Sequence, residues 1–110
     1  MKPVKFDFNA FYMIEETTGR GVPALLVELS AATSDPVNKR IFSPLARLYW
    51  AGRLHEIAGM SLREAIAELQ SEADSQDKLA KFAESLINKV MESGLLGGKD
   101  DPPKQESPAQ

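Results

Sequence analysis

The sequence contains no cysteine and a single histidine in its 110 residues. Without cysteine, disulfides and thiolate metal sites are excluded, and so are the disulfide-rich scaffolds of extracellular proteins. With one histidine, a zinc site within one chain would need several carboxylate ligands. We therefore expect neither a metal nor a cofactor.

Long apolar runs and an excess of positive charge are also missing. The longest strongly apolar stretch, VPALLV, is far shorter than the roughly 20 residues that cross a bilayer. The chain has 13 basic and 16 acidic residues, a net charge of −3, and so lacks the basic footprint typical of nucleic-acid-binding proteins. We expect a soluble, cytosolic protein that binds neither membranes nor nucleic acids.

Motifs of catalytic chemistry are weak throughout. The stretch GRGVPA at residues 19–24 fits the glycine pattern of a dinucleotide loop, but a predicted helix precedes it where that site requires a strand. The adjacent acids Glu15 and Glu16 project about 100° apart on a helix and do not converge on one substrate. The serines considered as nucleophiles have no local histidine partner: Ser30, Ser43, Ser61 and Ser75. We predict no enzymatic activity and no catalytic residues.

Hydrophobic residues make up 43% of the chain, and most of them recur with helical spacing. The segments between them carry residues that begin or end helices, because short polar side chains and proline suit the first turn and glycine suits the position after the last. Start signals are Asp7 or Asn9, Pro23, Ser43–Pro44, the capping box SLRE at 61–64, and Asp74 or Ser75. Stop signals are Gly19, Gly59 and Gly94.

The two ends of the chain have different compositions. Val4, Phe6 and Phe8 alternate with polar residues, a period-2 pattern that predicts a short strand. Residues 97–110 contain three prolines and no Leu, Ile, Val, Met or aromatic residue, so they cannot bury enough apolar surface to fold. The predicted fold is therefore all-α: four to five helices in residues 1–96, with or without the N-terminal strand, and a disordered tail at 97–110.

The first predicted helix begins in FDFNAFYMIEETTG, at residues 6–19. Its apolar residues indicate which side faces the core, since positions three and four apart share a helix face. We expect Phe8, Phe11 and Ile14 to anchor the helix to the core, and Phe6 to belong to an extended lead-in.

The third predicted helix, within LARLYWAGRLHEIAGM, is apolar on two sides. Such a helix is either central in its own core or partly buried against a partner, and Gly52 would permit close approach. Because Trp and Tyr are enriched at interface hot spots, the candidate partner-binding residues are Tyr12, Tyr49, Trp50 and Leu54. Trp50 is expected to be weakly buried in the monomer; complete enclosure in the core would exclude it from an interface.

Three stretches in order resemble one protein family. FDFNAFYMIEETTG is similar to the start of tail assembly chaperones from long-tailed bacteriophages and gene transfer agents. LARLYWAGRLHE resembles a Trp/Leu-Ala-Gly helix of these proteins, and MSLREAIAEL resembles the capped helix that follows it. The resemblance covers most of residues 6–70; the N-terminal β segment of many relatives is reduced here to KPVKFDF.

The resemblance implies a non-enzymatic role, since the family has no catalytic residues to carry over. Such chaperones bind the long tape measure protein, keep it soluble, self-associate and help tail tube proteins polymerise around it. They act in the host cytoplasm and are absent from the mature virion. Many have a second, longer form made by ribosomal frameshifting, and Gly98–Lys99 marks a position where a slippery codon run would fit.

A small helical DNA-binding or regulatory protein is the alternative. The sequence AGM followed by SLREAIAEL resembles the turn and second helix of a helix-turn-helix motif. That helix offers only Arg63 as a basic group, whereas phosphate contacts normally need several.

Overall fold

The computed structural model describes residues 1–35 and 40–96, which form an all-α globule. The helices are α1 (Phe8–Thr18), α2 (Val22–Ser34), α3 (Phe42–Arg53), α4 (Leu62–Glu72) and α5 (Gln76–Glu92). The predicted disordered tail at 97–110 lies outside the described residues.

The predicted caps at several helix ends are confirmed. The Asp7 carboxylate accepts a hydrogen bond from the Ala10 amide at 2.9 Å, and so satisfies one of the free N–H groups at the start of α1. Gly19 follows α1 with φ of 71°, a left-handed conformation that glycine adopts without steric cost. Ser61 and Glu64 form the reciprocal capping box of α4, with hydrogen bonds of 3.1 and 2.8 Å.

The predicted end of the third helix is wrong. Helix α3 ends at Arg53 rather than near Gly59, and turns occupy the residues that follow. Gly59 does have a positive φ of 83°, so the glycine signal marks a turn within the α3–α4 connection instead of the helix end.

Helix α3 is the centre of the molecule, because it contacts each of the four other helices. Its Leu45 and Leu48 are buried, and so are side chains on the helices around it, such as Ile14 of α1, Leu25 of α2 and Leu86 of α5. The interpretation of this helix as the core of its own domain is confirmed.

The segment before α1 packs on the last turns of α3 without forming a strand, and the described residues contain no β-strand at all. The prediction of a strand at residues 4–8 is therefore wrong. Val4 and Phe6 are buried, and the Lys5 amide donates to the Gly52 carbonyl at 2.9 Å. Val4 and Phe6 thus share one buried face, but the backbone partner of this segment is a carbonyl in the last turn of a helix, not another strand.

Gly52 permits this packing. A Cβ atom at position 52 would lie 2.8 Å from Val4 Cβ, 3.2 Å from Val4 Cγ1 and 3.0 Å from Phe6 Cζ. The close approach predicted for Gly52 therefore takes place within the chain.

One of the residues expected to anchor α1 faces solvent. Phe8 is 78% exposed, so its assignment to the core is wrong, whereas Ile14 is fully buried and Phe11 is partly buried against the core. Phe6 lies in the lead-in, as predicted, and is buried.

Candidate functional site

Two of the predicted partner-binding residues lie in the core. Tyr49 is fully buried, and Trp50 is only 7% exposed, with its indole N–H donating to the Met60 carbonyl at 2.6 Å. The expectation that Trp50 is weakly buried in the monomer is wrong. Both side chains face inward because α3 is surrounded by other elements, so neither offers a surface to a partner in this conformation.

Tyr49 belongs to a polar cluster that joins α3 to α4. Its hydroxyl donates to Oε1 of Glu68 at 2.6 Å, and Nε of Arg53 donates to the same oxygen at 3.0 Å. Arg53 is 5% exposed, and burying its charge is tolerable because the carboxylate of Glu68 faces it. The cluster therefore fixes the register of two helices.

Electrostatics keep this cluster in one protonation state. The hydrogen bond from Tyr49, reinforced by Arg53, holds the pKa of Glu68 below its ordinary value despite some desolvation. Burial, followed by the neighbouring carboxylate, raises the pKa of Tyr49. At neutral pH Glu68 is thus ionised and pairs with Arg53, while Tyr49 keeps the proton that it donates to Glu68.

The same cluster holds the N-terminal segment. Nη1 of Arg53 donates to the Pro3 carbonyl at 2.9 Å, and the Met1 amino group lies 2.8 Å from the Glu72 carboxylate.

Sequence reasoning missed Arg53 because nothing local distinguishes a buried arginine from an exposed one. Its partners are 15 and 50 residues away along the chain.

The other two predicted residues retain some accessibility. Tyr12 is 50% exposed on α1, one turn after the exposed Phe8. Leu54, which directly follows α3, is partly buried and packs against the core. Because Tyr49 and Trp50 are internal, the predicted residues do not form one binding surface.

An apolar groove lies between α3 and α4, and Leu79 of α5 also lines it. Its volume is about 460 Å³. Its lining is mostly apolar and comprises Phe42, Ser43, Leu45, Ala46, Arg47, Leu62, Ile66, Leu69, Gln70, Ala73 and Leu79. We refer to this surface as the α3–α4 groove.

Two large side chains in the groove lie open to solvent. Phe42 is 69% exposed and Ile66 is 43% exposed. Fully burying a large apolar side chain contributes about 1.5–3 kcal/mol, so each of these two side chains would gain part of that amount on becoming covered. Clustered exposed apolar side chains are typical of protein interaction surfaces.

Sequence reasoning missed Phe42. It directly precedes the Ser43–Pro44 pair, which predicted only a helix start, yet it occupies the first position of α3. The available signal was its helical spacing with Leu45 and Ala46, which places these side chains on one face.

The described residues contain no group of three or more His, Asp or Glu side chains arranged to hold a metal ion. In this part of the chain, no helix is long and apolar enough to cross a membrane. Comparison of the chain with protein-family models, with curated proteins and with solved structures found no match.

Proposed function

We propose that this protein is a non-enzymatic tail assembly chaperone. It binds the tape measure protein of a long-tailed phage or gene transfer agent in the host cytoplasm, keeps it soluble and promotes tail tube assembly. The proposal combines the resemblance of residues 6–70 with one structural observation, the exposed apolar α3–α4 groove.

The groove suits a helical client. A tape measure protein is long and largely helical. Its apolar helix faces must be bound by another protein to stay soluble until the tail tube encloses them. An amphipathic helix binds a groove of this kind through side chains spaced three and four residues apart. In the groove, Phe42 supplies an aromatic anchor and Ile66 a second apolar contact.

A second exposed apolar surface supports the proposed contacts with tail tube proteins or with further copies of the chaperone. Phe8 and Tyr12 are neighbours on α1, because they are four positions apart on a helix. Phe8 also lines a concave surface with Leu95, which is 47% exposed. Weak contacts of this type act together through avidity when many copies line one client.

Two features weigh against the alternative of a DNA-binding protein. The connection between α3 and α4 spans residues 54–61, longer than the three- or four-residue turn of a helix-turn-helix. Helix α4 carries Glu64, Glu68 and Glu72 against the single basic residue Arg63, so it would repel the phosphate backbone.

Co-expression tests the proposed function. The full chain is produced together with the tape measure protein encoded in the same gene cluster, and the soluble fraction and co-purification of that client are measured. We expect the wild-type chain to raise client solubility. The Phe42→Asp variant should lose this effect, whereas Val27→Asp, which changes a 71% exposed residue of α2 outside the groove, should keep it.

Unchanged client solubility with the wild-type chain would contradict the proposal, and so would equal loss in both variants. Salt-sensitive binding of duplex DNA in a gel-shift assay would favour the alternative. The proposed longer form is tested by reading the gene: codons around Gly98 and Lys99 without a slippery run would reject it.

A further inference from the structure

One positively charged side chain lines the α3–α4 groove, in a chain whose net charge is −3. Arg47 lines the groove directly. Arg63 lies seven positions before Gln70 on α4, and two helical turns bring it close to the angular position of that lining residue. Among the described residues, none of those that line the groove is acidic.

These two arginines form no ion pair with a described residue, whereas Arg20 and Arg53 do. Arg20 pairs with Glu28 at 2.9 Å, and Arg53 pairs with Glu68 at 3.0 Å. The three acids of α4 form other contacts: the Glu64 carboxylate accepts from the Ser61 amide, Glu68 pairs with Arg53, and Glu72 pairs with the Met1 amino group. The groove therefore has a mostly apolar lining that includes the guanidinium of Arg47, and helix geometry places the guanidinium of Arg63 next to it.

The dimensions of the groove define the length of its ligand. Its α4 wall runs from Leu62 to Ala73, about 16 Å at the helical rise per residue. An α-helix of roughly three turns spans this distance. Arg47 is partly buried, and an arginine in such a position can cover apolar surface with its aliphatic part while its charged end stays in water.

We propose that the α3–α4 groove is specific for an amphipathic helix whose apolar stripe is flanked by Asp or Glu. The apolar side chains occupy the floor, and the flanking carboxylates pair with Arg47 and Arg63. The inference rests on the proposed function and narrows it, because it states which helical segments of a client the groove selects. Opposite charges at such a rim contribute to selection and to the rate of association.

Two synthetic peptides of roughly 14 residues, about four helical turns, test the inference. Both carry the same Leu/Ala apolar face and a fluorescein label; one has Glu at the flanking positions and the other has Lys. Fluorescence anisotropy with the full chain gives the dissociation constants at low and high salt. We expect the Glu-flanked peptide to bind roughly three- to tenfold more tightly, because two partly exposed ion pairs contribute modestly, and high salt should reduce the difference.

Charge-reversal variants assign the preference to the groove. In R47E/R63E the Lys-flanked peptide should bind at least as tightly as the Glu-flanked one. The matched control K81E/K89E makes the same change in net charge on α5, outside the groove, and should keep the original preference. Unchanged circular dichroism melting curves verify that both variants are folded.

Each result separates this inference from the proposed function. Equal affinities for the two peptides, with both lost in Phe42→Asp, would overturn the charge preference while leaving the groove as a docking site. If K81E/K89E abolished the preference for the Glu-flanked peptide as fully as R47E/R63E does, the preference would depend on the net charge of the chain. That result would overturn the inference. Binding of neither peptide would also overturn it, and the co-expression experiment would still decide the chaperone role.

Discussion

Replacing Gly52 by alanine should destabilise this protein, although the change would ordinarily strengthen a helix. Gly52 lies one residue before the end of α3, and its carbonyl accepts the Lys5 amide. On helix propensity alone, Gly→Ala in a helix interior stabilises by about 1 kcal/mol. The surrounding contacts decide the sign of the effect.

The steric cost exceeds the propensity gain. The new methyl group would lie 2.8 Å from Val4 Cβ, an atom fixed to the backbone that cannot turn away. Overpacking of this kind costs about 1–3 kcal/mol, and displacing the segment also weakens the Lys5–Gly52 hydrogen bond, worth about 1 kcal/mol. If the segment detached completely, the burial of Val4 and Phe6 would be lost, at about 3–6 kcal/mol for the two side chains. We expect a net loss of about 1–3 kcal/mol.

Urea denaturation of the wild type and Gly52→Ala, followed by circular dichroism, measures the difference in the free energy of unfolding. A double-mutant cycle with Val4→Gly isolates the contact, because this second change removes the Cβ atom that the alanine would meet. The double variant should be more stable than the sum of the two single losses predicts. A Gly52→Ala variant as stable as the wild type, or more stable, would refute the close packing of residues 4–6 on α3.

Two further predictions concern the polar cluster and the aromatic lead-in. Glu68→Gln should lose about 1–3 kcal/mol at neutral pH, because the amide leaves the buried Arg53 charge unpaired. Since folding lowers the pKa of Glu68 from its ordinary value of about 4.5, its contribution is complete above that pH and is lost as the pH falls through the folded-state value. Urea titrations at neutral and acidic pH should therefore show a smaller acid-induced loss in the variant; parallel losses would contradict the ionic role. In thermal melts, Phe6→Ala should cost about 3–5 kcal/mol and Phe8→Ala less than about 0.5 kcal/mol, because only Phe6 is buried. Equal costs would contradict the packing assigned to the lead-in.

The helices were predictable because their signals are local. The capping box at Ser61 and the left-handed glycine at position 19 act within four residues of the helix end they define. Such interactions form in the same way whatever surrounds the helix. The predicted all-α fold and four of its helix starts therefore follow from short stretches of sequence.

The packing of the lead-in was not predictable from periodicity. Alternation at Val4, Phe6 and Phe8 indicates that one side of an extended segment is apolar, but not what covers it. Here α3, almost 50 residues away along the chain, covers the apolar side of the segment. Because α1 begins at Phe8, the alternation ends there and the Phe8 side chain faces solvent. The mistaken strand and the mistaken core position of Phe8 have this one cause.

The candidate site was missed for a related reason. The enrichment of Trp and Tyr at interfaces favours Tyr49 and Trp50 over Phe42 as partner-binding residues. Their burial depends on the position of each turn within α3: the later turns are enclosed by α4 and the lead-in, whereas the first position lies beside the open groove. The two interpretations of α3, as a core helix and as a partner-binding helix, therefore apply to different turns of the same helix.

This division has a consequence for how the groove would bind a helix. Tyr49 and Arg53 hold α4 through Glu68, whose neighbour Leu69 lines the groove. The wall that a client helix would contact is thus positioned before binding, by a cluster that takes no part in the contact. A preformed wall reduces the ordering cost that a flexible surface pays on association, so a small groove can bind with useful affinity through few apolar contacts. Selection among helical segments is then left to the rim, where Arg47 and Arg63 form no ion pair with a described residue.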